Sequence, residues 1–181
     1  MGMIITRTWA MPNADTFQCK PIGEFVERYL IDSGISVDPF ARNSRLCTYT
    51  NDLNPDTSSE YHMDCVDFLN MLAGDGVVVD LGILDPPYSV RQMKECYDSI
   101  GKRTSMEDSQ GVGIYRDTRL AMNKLIKVGG VVLSFGWNSV GMGINMGYKI
   151  EEIMMVCHGG VHNDTICVAE RKVVEQLGLG I

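Results

Sequence analysis

The stretch Val77-Val78-Val79-Asp80-Leu81-Gly82-Ile83-Leu84-Asp85-Pro86-Pro87-Tyr88 decides how this chain is read. Its apolar first part predicts a buried strand. A carboxylate, two stiff prolines and an aromatic ring then fall where the strand ends and a loop begins. In open α/β sheets the carboxyl ends of strands are where ligands bind. Neither Pro86 nor Pro87 has an N–H, and both have a fixed φ, so the Pro86 carbonyl is held away from the strand ladder. Asp85 and that carbonyl make two acceptors, with Tyr88 as an adjoining flat surface.

Outward from this strand, helices alternate with strands. Pro21–Ser33 carries Ile22, Phe25, Val26, Tyr29 and Leu30 on one face and predicts an amphipathic helix, with Pro21 in its first turn and Gly34 at its stop. Met3–Thr8 reads as a short strand, and Ile35–Phe40 and Cys47–Asn51 as two more. Asp64–Leu72 reads as a helix with Val66, Leu69 and Leu72 on one side. Downstream, Ser89 caps a helix running to Ile100, and Gly101–Gly113 is a polar loop. Ile114–Val128 is a helix stopping at Gly129-Gly130. Val131–Phe135 is a strand, Trp137–Gly147 is irregular, and Tyr148–His158 and Asp164–Arg171 are two final strands. This order predicts an α/β fold: a mostly parallel sheet, helices on both faces and a C-terminal antiparallel hairpin. No repeat or linker divides the chain, so residues 1–181 are expected to form one domain without a separate recognition domain.

Apolar residues make up 45% of the chain and charged residues 22%, as in ordinary globular proteins. No apolar run has the length to cross a bilayer and no signal-peptide pattern opens the chain, so a cytoplasmic protein without membrane contact is expected. The six cysteines are scattered, several in apolar runs, and read as reduced core thiols. His158 and His162 have the spacing of a metal pair beside Cys157. Gly159-Gly160 argues against a helix there and no third ligand is evident, so no metal is expected. The net charge of −7 opposes a tight, autonomous grip on phosphates. DNA is therefore expected as a transient partner, or one whose grip is supplied by a partner or a homodimer.

Asp85-Pro86-Pro87-Tyr88 resembles the Asp-Pro-Pro-Tyr motif of amino-group DNA methyltransferases, which methylate adenine N6 or cytosine N4 with S-adenosylmethionine. The likeness extends along the chain, in the order of a compact, phage-type adenine methylase-like family. Lys20-Pro21 looks like the segment near the methionine end of the cofactor, and Asp38-Pro39-Phe40 like the family's Asp-Pro-Phe loop after the first strand. Asp52 falls where an acid meets the cofactor ribose. Asp64 falls where one accepts from its adenine. Trp137, Asn138, His162 and Asn163 sit at strand ends where the family lines its target pocket. The resemblance implies a Rossmann-like class I fold. In it Asp85 and Pro86 orient the amino nitrogen, Pro87 completes the motif and Tyr88 stacks on the target base.

Local readings stand beside these roles. Asp85 can cap and Tyr88 pack; Asp38, Asp52 and Asp64 can be helix caps; Lys20 can be a solvated lysine. The family loop continues with glycines where this chain has Arg42-Asn43-Ser44. Asn43 is the residue expected to take a left-handed conformation, with Arg42 pointing outward or meeting the cofactor carboxylate. Methyl transfer to RNA or protein, or a silent module that binds nucleic acid or a partner through the same fold, are the alternatives.

Overall fold

The computed structural model describes residues 2–87, 112–160 and 162–174. The elements are β1 (Ile4–Trp9), α1 (Lys20–Ile31), β2 (Ser36–Asp38), β3 (Tyr49–Thr50), α2 (Cys65–Gly74), β4 (Val79–Leu84), α3 (Val112–Leu125), β5 (Ile126–Gly136), β6 (Tyr148–Cys157) and β7 (Thr165–Lys172). The strands form one sheet in the order β1-β6-β7-β5-β4-β2-β3. β7 runs antiparallel to β5 and β6, and every other pairing is parallel. The expected C-terminal antiparallel hairpin is thus present, and the carboxyl ends of β1 to β6 share one edge of the sheet.

Each face of the sheet is covered. Ile22, Phe25 and Val26 of α1 pack on Leu81, Ile83, Leu133 and Phe135. On the other face Phe68, Leu69 and Leu72 of α2 and Ala121, Met122 and Leu125 of α3 pack on Val37, Val79 and Val132. A register shift between Val79 and Leu81 accounts for two residues of one parity serving opposite faces. Gly82 lets α3 approach: a Cβ there would stand 2.7 Å from Met122 Sδ. The five described cysteines are buried and unbridged. No described helix is long and apolar enough to cross a membrane.

The first strand, expected at Met3–Thr8, is an edge strand paired in parallel with β6. The helix expected to reach Val128 ends instead at Leu125, and Ile126 already pairs with Val79. A long-range contact explains the early stop. Lys172 is 2% exposed, and its ammonium donates to the carbonyls of Asn123 at 3.0 Å and Ile126 at 2.8 Å. That satisfies helix-end acceptors which another turn would have used. The helix expected at Ser89–Ile100 and most of the Gly101–Gly113 loop lie outside the described residues.

Glu152 fastens α1 to the sheet. Its side chain is 7% exposed and takes a bidentate pair from Arg28, at 2.9 and 3.2 Å, and the Tyr29 hydroxyl at 3.1 Å. Removing one member of a fully buried pair costs about 3–5 kcal/mol; Arg28 is half in water, which lowers that. Glu152→Ala is expected to cost about 2 kcal/mol in urea unfolding, with an unchanged slope against denaturant.

Candidate active site

Three aspartates gather along the carboxyl edge. Asp38 closes β2, and β2 lies beside β4, about 5 Å away, the strand that leads into Asp85. Asp38 is 1% exposed. Its Oδ1 accepts from the Phe40 N–H at 2.9 Å, while Oδ2 is buried with no hydrogen-bond partner among the described residues. Burial pushes its pKa up to about 8; the charges of Asp85 and Asp52 add to this and the Phe40 N–H opposes it. Pro39 and Phe40 complete the turn: the Pro39 carbonyl accepts from Asn51 Nδ2 at 3.1 Å, and Phe40 packs toward α2 and α3.

Asn51 is fully buried and organises this corner, a role the sequence did not reveal. Besides Pro39 it bonds both the carbonyl and the N–H of Met63, each at 3.0 Å, joining the loop after β2 to the start of α2. Asp64 follows and caps α2, its Oδ1 accepting from Val66 N–H at 2.8 Å. The capping reading of Asp64 is therefore realised. Asp52 accepts from Arg42 N–H at 3.1 Å with Oδ2 and from Asn54 N–H at 2.8 Å with Oδ1.

Arg42, not Asn43, takes the left-handed conformation, with φ 51°. Asn43 instead accepts from Ser58 N–H at 3.0 Å. Partners override intrinsic preference here, since Arg42 is held at its N–H by Asp52 and at its carbonyl by the Ser59 hydroxyl, 2.9 Å away. Its guanidinium does point away from its own loop, onto Ala14 carbonyl at 2.8 Å and Asp15 at 3.0 Å.

Asp85 leaves the end of β4 half-buried, close enough to Cys167 that its charge, after burial, helps push that thiol up. The Pro87 carbonyl accepts from the hydroxyl of Tyr115 on α3, whose pKa burial raises. Tyr115 thus clamps the proline pair, and only its place in an amphipathic helix could have hinted at it. Tyr88 lies outside the described residues.

Beyond Asp85 along the same edge is a cavity of about 280 Å³ lined by Pro12, Asn13, Thr16, Cys19, Ile22, Trp137, His158, His162, Asn163 and Thr165. The structure brings Trp137, His162 and Asn163 together in this wall. Asn138 turns back into its own loop, accepting from Val140 N–H at 2.9 Å. Pro21 fills the first turn of α1, while Lys20 extends into solvent beside Glu24, 3.8 Å away, and is not in the cavity wall. His158 is fixed between the Ala10 carbonyl at 2.8 Å and the Thr165 hydroxyl at 2.9 Å. The carbonyl can only accept, so Nδ1 carries a proton. Among the described residues no group of three or more His, Cys, Asp or Glu is placed to hold a metal ion.

A clamp holds the floor of the loop after β5. Glu170 is 1% exposed and accepts from the N–H groups of Met142 and Gly143. Burial raises its pKa against those two bonds. Gly141 is needed there, since a Cβ would overlap the Glu170 carboxylate.

No family model matches the chain, and no curated protein sequence does. Solved structures do share its architecture. NSun6 from Pyrococcus horikoshii, solved with SFG, is 16% identical with a TM-score of 0.56, over 82% of this chain and 50% of that one. TrmN from Thermus thermophilus is 16% identical with a TM-score of 0.54, over 84% and 48%. The N-methyltransferase NodS from Bradyrhizobium japonicum WM9 is 11% identical with a TM-score of 0.55, over 89% and 99%. The chain spans about half the length of the first two. With the strand order and hairpin, these likenesses establish the class I methyltransferase fold, α/β and Rossmann-like.

Asp38 makes the site measurably pH-dependent. Its folded pKa is about 8 against an ordinary value of 3.8. The folded state thus keeps a proton that the unfolded chain loses, and stability falls as pH rises from about 4 through 8. Asp38→Asn removes this titration. The variant is expected to unfold at a higher temperature than wild type at pH 8, by up to about 5 kcal/mol in stability, with the gap closing near pH 4. Parallel thermal melts against pH read this directly.

Proposed function

We propose that this chain is an S-adenosylmethionine-dependent methyltransferase acting on the exocyclic amino group of a nucleobase, with adenine N6 in DNA as the first substrate to test. One observation carries the reading: Asp85-Pro86-Pro87 lies at the carboxyl end of β4, between the acidic corner of Asp38 and Asp52 and the cavity lined by Trp137, His162 and Asn163. The acidic corner fits this cofactor. A buried carboxyl with one unpartnered oxygen suits a cationic ligand, and Asp52 suits a pair of vicinal hydroxyls. The cavity is at the small end of ligand pockets, sized for one flat ring.

When bound, the cofactor supplies a methyl group on a sulfonium. Asp38 and Asp52 would hold it. Asp85 and the Pro86 carbonyl would accept from the two hydrogens of the target amino group, localising its lone pair toward the methyl. Tyr115 fixes the proline pair from behind. The methylated nitrogen is acidic and loses its proton without a strong base, so no covalent enzyme intermediate is needed. The target base must leave its stack, at a cost of about a few kcal/mol. The charge of −7 supports a second reading, a silent module that binds a partner through the same fold. RNA offers the same amino groups and is a third arm of the test.

Transfer of labelled methyl to duplex DNA, single-stranded DNA and RNA separates these readings. Wild type is expected to label DNA, with N6-methyladenine on digestion. Asp85→Ala is expected to lose at least about a hundredfold in rate, the scale of one lost transition-state contact, while cofactor binding persists. Label on RNA alone would move the substrate. Cofactor bound but no transfer to any nucleic acid, or full activity in Asp85→Ala, would sink the proposed chemistry.

A further inference from the structure

Arg42 touches both halves of the candidate site. Its N–H is held by Asp52 Oδ2 at 3.1 Å, on the proposed cofactor side. Its guanidinium holds the Ala14 carbonyl at 2.8 Å and Asp15 at 3.0 Å. Those residues belong to the segment that walls the cavity through Pro12, Asn13 and Thr16. Asp15 is itself tied to the wall: its N–H donates to Asn13 Oδ1 at 3.0 Å, and its carboxylate accepts from Gln18 at 3.1 Å. Arg42 is also the one non-glycine among the described residues with a positive φ. A backbone conformation that costs energy is retained here together with contacts at both of the residue's ends.

We infer that Arg42 is a positioning residue through which cofactor binding sets the substrate cavity, so that the two ligands bind with positive coupling. The inference rests on the methyltransferase reading of the site. A carboxylate offers about four acceptor positions, so Asp52 can hold ribose hydroxyls and keep its bond to Arg42. A ligand on Asp52 then restrains Arg42, and Arg42 restrains residues 12–16. A base entering an ordered wall meets a smaller ordering cost, and by linkage the base tightens cofactor binding equally. The Arg42–Asp15 pair itself is open to solvent, with side chains 56% and 42% exposed, so it adds little to global stability. Its role is then visible in binding and not in melting temperature.

The test titrates S-adenosylhomocysteine into the full chain, with and without a saturating adenine-containing DNA oligonucleotide. Wild type is expected to bind the nucleoside about tenfold more tightly with the oligonucleotide present, within the usual range of coupling between sites. Arg42→Gly keeps the left-handed backbone and removes the guanidinium. It is expected to bind S-adenosylhomocysteine alone almost as wild type, to lose the coupling, and to raise KM for the oligonucleotide more than it lowers kcat. Asp15→Ala removes the ion pair without touching the loop after β2, leaves the bond to the Ala14 carbonyl, and should weaken the coupling. Melting temperatures serve as the control and should stay within a few degrees. Full coupling in either variant, or none in a wild type that binds and transfers methyl, overturns the inference and leaves the function standing. A wild type that binds no S-adenosylhomocysteine overturns both.

Discussion

The structure turns on a carboxyl group placed where solvation cannot reach it. Asp38 ends a three-residue strand that lies one in from the edge of the sheet, 1% exposed, with one oxygen on the Phe40 N–H and the other without a hydrogen-bond partner among the described residues. A buried ionised carboxylate without a partner is costly, so the group holds its proton instead. Nearby groups are arranged around this corner. Asn51 pins the loop after β2 to the entry of α2, Asp52 gathers the N–H groups of Arg42 and Asn54, and Asp85 adds a like charge from the adjoining strand. An acidic corner of this kind costs stability until a cation meets it.

Strand order converts that corner into a row. Across the carboxyl edge come Asp52 after β3, Asp38 on β2, Asp85 after β4, Trp137 after β5, Asn163 and Thr165 at β7, and His158 after β6. Because β7 is antiparallel, its entry loop from β6 falls on this same edge and delivers His162 and Asn163 to the cavity. The acids lie on one side of Asp85 and the aromatic and amide groups on the other. Donor and acceptor of a group transfer can thus approach one carboxylate from opposite sides.

Much of this was legible in the sequence. The apolar run leading into Asp85 marked a buried strand, the periodicity of Ile22, Phe25 and Val26 marked α1, and strand-end acids marked the edge. What escaped depended on contacts distant in sequence. Local chemistry favoured Asn43 for the left-handed position, but bonds to Asp52, Ser59 and Asp15 put Arg42 there. Helical pattern ran on to Val128, but Lys172 and the pairing of Ile126 with Val79 ended α3 at Leu125. Asn51 and Tyr115 act by holding backbone carbonyls, a role that leaves no motif. The segment from Pro12 to Thr16 joined the cavity because β1 pairs with β6, a parallel pairing that no local pattern announces.

On the proposed reading, the corner at Asp38 receives a cationic cofactor. Calorimetry of S-adenosylmethionine binding at pH 7, in buffers of different ionisation enthalpy, reads the proton that such a cation would displace. With Asp38 near pKa 8 before binding, a cation placed against it lowers that pKa, so close to one proton is expected to be released on binding. The release should vanish in Asp38→Asn. Binding without proton release, or no binding at all, would contradict the account.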